Sequence, residues 1–295
     1  MKKISFFLLG FICHYLLSCH QDGVLPWDDL LAPLDSSRSD EGPSPIQAQV
    51  PYLEIPEITS GPNLEYHLKM VSANKRNYSM LYDTKNKLAY WVAYPLSKDY
   101  LGKQKRTDDW AYDPAFSVDE QADLHKGYPD NAILALDRGH QIPSGDRTAS
   151  YAENASTFYY TNMTPQHKAL NQQVWADLEN KIRTWTTTQN GGADTMYVVT
   201  GAMLQTASDK HIDYVLDNAG KKVAKPKYYY KALAMKKGDQ YYTAAFRIAN
   251  VEPKTRDYMQ YMLTVAELEK ETGFTFFPAL RPELKETINR KIWRK

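Results

Sequence analysis

The stretch ALDRGHQIPSGDR, residues 135–147, sets Arg138, Gly139 and His140 side by side behind Asp137. A neutral imidazole near pH 7 can take a proton from water. A guanidinium grips phosphate oxygens in bidentate fashion. Arg138 and His140 lie two residues apart, so an extended chain points both to one side, and Gly139 between them would let a substrate backbone approach. Further on, Asn171 supplies a neutral amide oxygen suited to a hard divalent cation. Glu179 supplies a carboxylate that could hold water ligands of that cation. Eight residues span about 80° beyond two helical turns, which keeps Asn171 and Glu179 on one broad face. A base, an anion grip and a hard-metal site are the parts that phosphodiester hydrolysis needs. Each residue also has an ordinary role. A histidine after a strand is commonly structural, and Asn171 suits a helix N-cap. Glu179 suits a solvated helix face, and Arg138 could pair with Asp137.

These side chains need a frame. YSMLYDT (78–84) and KLAYWVAYPL (87–96) are aromatic and β-branched runs that predict a hairpin. NAILAL (131–136) predicts a short strand delivering the chain to Arg138 and His140, and TFYYTNM (157–163) predicts the next strand. In LNQQVWADLENKIRTWTTT the period changes, with Val174, Leu178, Ile182 and Trp185 at helical spacing. TMYVVTG, YYYKALAM and YYTAAFRIA predict three further strands. TVAELEKETG predicts a helix closed by Gly273, and RPELKETINRKI a final helix. The alternation predicts a central sheet with helices packed on it. The lysine-rich KKVAKPKYYYKALAMKK predicts a solvated strand edge, with a polyanion-receiving surface as the alternative.

At 295 residues the chain is long enough for one large domain or two small ones, and its net charge of +1 does not announce a nucleic-acid binder. The charge is unevenly spread. Residues 20–60 hold eight acids against Arg38 alone, whereas residues 221–295 hold 17 Lys/Arg against 8 Asp/Glu. The two cysteines, Cys13 and Cys19, both fall in the first nineteen residues. There Lys2 and Lys3 precede an apolar run, Ile4 to Leu17, of signal-peptide length and too short for a comfortable membrane span. The run ends in LLSC, which resembles a bacterial lipobox; a plain secretory signal is the alternative. With Cys13 removed and Cys19 lipidated, the folded domain has no thiol. That excludes thiol catalysis, cysteine-ligated zinc and disulfide redox chemistry within it. The expected organisation is a lipoprotein signal peptide at 1–19, an acidic, Ser/Pro-rich tether at 20–62 and a folded domain at 63–295. The expected location is the cell envelope, lipid-anchored to a bacterial membrane at the outer membrane or extracellular face, or secreted.

Three ordered motifs carry a resemblance. DRGH at Asp137–His140, TNMTPQ at Thr161–Gln166 and LNQQVWADLE at Leu170–Glu179 together resemble the DNA/RNA non-specific endonucleases, the DRGH branch of the ββα-metal nucleases. The similarity runs from about Tyr78 to Leu280, with YDTKNKLAYWVAYPL and RTDDWAYDP ahead of the motifs and VVTGAM and TVAELEKETGFTFFPAL behind them. The resemblance implies an α+β fold, a central mainly antiparallel sheet flanked by helices, with a ββα-metal finger as active site. It implies Mg²⁺-dependent hydrolysis of DNA and RNA without sequence preference, leaving 5′-phosphate ends, with Mn²⁺ as a substitute metal. His140 would be the general base and Asn171 the sole direct protein ligand of the metal, with Glu179 holding one of its waters. Arg138 and Arg106 would contact phosphate, and Asn162 would help position the transition state. Asp137 is expected to brace the local turn and Arg147 to serve locally, with a phosphate contact as its alternative. His125, His167 and His211 form no ligand spacing and are expected at the surface. The expected partners are DNA and RNA as substrate and a membrane through lipidated Cys19, with no protein partner. Two other functions stay open: a lipid-anchored protein that binds nucleic acid without turnover, and a metal phosphodiesterase acting on small diesters.

Overall fold

The computed structural model describes residues 52–129, 131–187 and 192–294. The expected signal peptide with Cys19, and the expected tether up to residue 51, lie outside them. In chain order the strands begin with β1 (Leu64–Ser72), β2 (Lys75–Asp83) and β3 (Leu88–Leu96). A short helix α1 (Asn131–Leu134), then β4 (Leu136–His140), α2 (Tyr151–Ala155) and β5 (Met163–His167) follow. Next come α3 (Lys168–Leu170), a π-turn (Asn171–Trp175) and α4 (Ala176–Thr187). The second half holds β6 (Thr195–Met203), β7 (Asp213–Leu216), β8 (Lys222–Lys225), β9 (Tyr228–Lys237), β10 (Gln240–Ala249) and β11 (Met262–Leu263). It closes with α5 (Val265–Thr272), α6 (Pro282–Glu286) and α7 (Arg290–Arg294).

Seven strands form one sheet in the order β1-β2-β3-β6-β9-β10-β11, with every neighbouring pair antiparallel. β4 with β5 and β7 with β8 form two separate antiparallel ribbons. The α+β reading therefore holds. β2 and β3 are covered on both faces, which is why they read as nearly continuous apolar runs rather than as an alternation. On one face Met80, Val92, Tyr94, Val198 and Leu233 pack with Leu178, Ile182 and Trp185 of α4. On the other, Leu81, Trp91, Ala93, Ala232 and Ala234 pack with Val265 and Leu268 of α5 and with Phe276 and Phe277. α5 starts in a capping box, Thr264 and Glu267 each accepting from the other's backbone N–H, and stops at Gly273 with φ 77°.

Several elements differ from the sequence reading. NAILAL is not a strand: it forms the turn α1, Ala135 takes a left-handed φ of 49°, and β4 then carries Arg138, Gly139 and His140 themselves. TFYYTNM winds through 3₁₀ turns at Ser156–Phe158 and Tyr160–Asn162 and extends only from Met163. Side chains fix those turns, with Thr157 donating to the Asn154 carbonyl and Asn162 to that of Thr157. RPELKETINRKI is two helices, parted where Thr287 turns extended (φ −130°, ψ 151°). The stretch read as a solvated edge holds β9, which lies inside the sheet between β6 and β10. The packed region also begins ahead of residue 63. Leu53 and Ile55 join the apolar layer on the α5 side, and buried Glu54 ion-pairs with buried Arg76.

Candidate active site

β4 and β5 pair in the register Arg138↔Pro165, Gly139↔Thr164 and His140↔Met163, and the helical run from Lys168 to Thr187 follows directly. This is a β-β-α unit. Gly139 serves the ribbon rather than an approaching substrate: a Cβ there would lie 2.4 Å from Cβ and Oε1 of Gln166 on β5. The helix is capped by His167, whose ring accepts from the Ala169 N–H, so Asn171 is not the N-cap but sits inside the helix. It opens the π-turn. A π-turn is one extra residue wound into an α-helix. From Asn171 to Glu179 the chain therefore rotates about as far as seven α-helical residues would, roughly 20° short of two turns. The two side chains come closer to alignment than a regular helix would bring them.

Arg106, Arg138, His140, Asn171 and Glu179 line one open cleft of about 610 Å³. Arg138 donates to the Leu124 carbonyl and lies over the Trp110 ring, 3.5 Å from its centroid. Arg106 donates to Asp108 (2.7 Å) and to the Ser144 hydroxyl (3.2 Å). The Asn171 amide nitrogen donates to Asp137 Oδ2 at 2.9 Å, as does that of Gln172. Asp137 thus fixes the Asn171 amide and leaves its carbonyl oxygen as the atom offered to the cleft.

Asn162, expected to act on the transition state, is the exception. It is fully buried and outside the cleft lining. Its amide accepts from the Ile142 N–H and donates to the carbonyls of Ile142 and Thr157, while its own carbonyl accepts from the Gln141 N–H. It anchors the chain immediately after His140. Arg147 is also buried, donating to main-chain oxygens of Asn77, Asp146 and Pro95, which is the local role expected of it. His125 and His211 are exposed.

His140 Nε2 is shielded from solvent and has no hydrogen-bond partner. The ring stands edge-on to Trp110 and Phe158. Burial, and then the charge of Arg106, push its pKa down to about 3, against a hydrogen bond with the Arg138 main chain that favours protonation. A bond of that sense is donation to a carbonyl, and with Nε2 unpartnered it belongs to Nδ1. The imidazole is thus neutral, with the Nε2 lone pair free.

Four residues of this region escaped the sequence reading. Trp110 and Arg183 line the cleft. Arg183 donates to buried Asp146 (2.6 Å), whose other oxygen accepts from Tyr94 (2.8 Å). Lys231 is wholly buried, donates to Thr200 (3.2 Å) and stands 3.7 Å from Glu179 over the Trp175 ring. Burial raises the Glu179 pKa, and Lys231 and Arg183 oppose the rise; burial lowers that of Lys231. Two signals were there to find. Arg183 is four residues past Glu179, hence on the same helix face. Lys231 alternates with Tyr229, Leu233 and Met235, hence faces α4.

Residues 60–283 match the model of the DNA/RNA non-specific endonucleases. The chain belongs to this family. It is accordingly a nuclease, a hydrolase of phosphodiester bonds. A nuclease of Serratia marcescens is 30% identical over 75% of this chain and 80% of its own length. A nuclease of Nostoc sp. strain PCC 7120 is 29% identical over 85% of this chain and 93% of its own. A chain in the crystal structure of the EndoG/EndoGI complex superposes with a TM-score of 0.65 at 22% identity, covering 85% of this chain and 98% of that one; at that identity the likeness is one of fold. Nucleic acid is the substrate class that membership carries.

Proposed function

We propose that this nuclease cuts both DNA and RNA with His140 as the general base and a divalent cation, Mg²⁺ by preference with Mn²⁺ as a substitute, held through Asn171. The observation that supports this reading is the pairing of an unpartnered Nε2 lone pair with a fixed amide oxygen on the wall of one cleft. The donor set suits a hard cation. Among the described residues no three His, Cys, Asp or Glu cluster as metal ligands, so an ion here would keep mostly water around it, as Mg²⁺ does. Asn171 through Oδ1 and Glu179 through water are the residues that would hold it. When bound, such an ion supplies charge stabilisation to the phosphoryl and departing oxygens.

The chain's own residues do the rest. His140 Nε2 accepts a proton from the attacking water. Arg106 and Arg138 grip the non-bridging phosphate oxygens, and the phosphate charge in turn raises the basicity of His140, which the two guanidiniums depress in the free enzyme. None of these contacts reads a base edge, which accounts for cleavage without sequence preference; departure of the 3′ oxygen from the attacked phosphorus would leave 5′-phosphate ends. The lipobox-like LLSC supports anchoring of the mature chain through Cys19 at the cell envelope. Among the described residues no helix is long and apolar enough to cross a membrane.

Digestion of supercoiled plasmid, of RNA and of a small chromogenic diester, in Mg²⁺ and in EDTA, tests the reading. Cleavage of both polymers, absent in EDTA, is expected. His140→Ala and Asn171→Ala should each lose about 10²- to 10⁴-fold in rate with circular dichroism unchanged. Retained cutting by either variant removes its assigned role, and turnover of the small diester alone would replace the substrate class. Incorporation of labelled palmitate, abolished by Cys19→Ser, tests the anchor.

A further inference from the structure

Arg106 and Arg138 repel each other in the free enzyme; each cation lies close enough to depress protonation of its neighbours. Among the described residues neither has an ion-pair partner deep in the cleft, and Arg106 pairs only with Asp108, at the exposed rim. What holds Arg138 is aromatic. Its guanidinium lies 3.5 Å from the Trp110 centroid, the closest such contact among the described residues, and one main-chain bond to Leu124 completes its restraint. Trp110 also touches the other working groups. Arg106 is 5.7 Å from its centroid and the His140 ring 5.5 Å.

The loop carrying Trp110 is itself clamped. Trp110 N–H bonds the Asp108 carbonyl in a turn where Asp108 adopts a φ of 55°. Thr107 N–H bonds Asn154, and Ala111 bridges Tyr159 and accepts from the Tyr160 N–H. Asp113, fully buried, accepts from Thr161. The indole is therefore set by the fold before substrate arrives. A cation over an indole face gains attraction without being neutralised, so its charge remains for an incoming anion. A carboxylate partner would have to be displaced first.

We propose that Trp110 is a positioning residue: by stacking on Arg138 it holds the guanidinium aimed at the scissile phosphate, at a fixed place relative to His140. This rests on the nuclease reading of the cleft. One face of the indole is thereby taken by the guanidinium, so that face does not serve as a platform for a nucleobase.

Two measurements on Trp110→Leu and Trp110→Phe decide it. The first does not need turnover. The Arg138 Nε–H NMR signal, assigned by its loss in Arg138→Lys, lies in the ring current of the indole. It should move to the ordinary arginine position in Trp110→Leu, and its response to added inorganic pyrophosphate should require about tenfold more ligand. An unmoved signal with unchanged titration overturns the proposal, whatever the enzyme cleaves. The second is a cycle on a labelled oligonucleotide. Trp110→Leu should lower kcat/KM by about tenfold, Trp110→Phe should recover most of it, and Trp110→Leu combined with Arg138→Ala should be no worse than Arg138→Ala alone. Fully additive losses would mean a role in packing only and would also overturn it. If the wild-type enzyme cuts nothing while the signal and the titration behave as expected, the nuclease reading fails and the stack stands.

Discussion

The two faces of the central sheet are built to different rules. Under α5 the strands offer Ala232, Ala234 and Ala245 to Val265, Leu268, Phe276 and Phe277, small residues that let a helix and two phenylalanines settle closely. Under α4 the same strand β9 offers Tyr229, Leu233 and Met235 with Lys231 set among them, facing Glu179, and Asp146 and Arg183 are nearby. The layer between β9, β10 and α5 is apolar packing. The α4 face keeps charges in places where burial disfavours them, which shows in the raised Glu179 and lowered Lys231 pKa values. The difference teaches a division of labour: one face supplies stability, and the other uses part of it to hold a polar site in one arrangement.

The comparison breaks most readily at Lys231. Lys231→Met strands Glu179 beside an apolar side chain, and stability in urea should fall by about 3 kcal/mol, with DNA cleavage reduced on the order of 100-fold. Adding Glu179→Gln should restore most of the stability and none of the activity; recovery of both would mean that the pair is only structural. Leu268→Ala is the counterpart on the α5 face. Its cavity should lower stability by about 2–5 kcal/mol while kcat at 25 °C stays within about twofold. A tenfold fall in kcat would show that the faces are coupled.

pH separates the faces more finely. His140 has its pKa pushed down to about 3 from an ordinary 6.5, so the unfolded chain binds its proton first as pH falls. Its neutral burial is therefore fully compatible with the fold above about pH 6.5, and stability declines from there toward pH 3. A urea titration across that range should show the decline, and His140→Ala should flatten it. For the same reason kcat/KM should show no inflection near 6.5. Its acid limb should instead fall where buried Glu179, with its raised pKa, takes up a proton. The smallest effect is expected at the rim. Asp108→Asn frees Arg106 from an exposed carboxylate, and KM for oligonucleotide should drop about two- to threefold with kcat unchanged.

The candidate site was legible because its residue types are rare in combination. Asp137, Arg138 and His140, then Asn171 and Glu179, carry chemistry that a solvated turn and helix do not need together. Their alignment was legible only in part. A helical period leaves Asn171 and Glu179 about 80° apart, and the π-turn that closes the angle is a single inserted residue with no composition of its own. β4 was misplaced by five residues because the strand is polar and the apolar run before it, NAILAL, is a turn. Asn162 lies in a matching motif, yet no motif tells whether an amide faces solvent or main chain. Lys231 was hidden because a lysine run is ordinarily a surface, and only the strand's position inside the sheet reverses that. β1 went unseen because Glu65, His67 and Lys69 alternate with apolar residues at a sheet edge, where the apolar signal is thin.

The segment just ahead of the sheet has a geometric consequence. Leu53 and Ile55 are seated on the α5 side, and the Glu54–Arg76 pair fastens the backbone there. The cleft opens on the α4 side. A force on the chain at Leu53 therefore acts on the wall opposite the cleft, through apolar contacts and one ion pair, and leaves the cleft lining untouched.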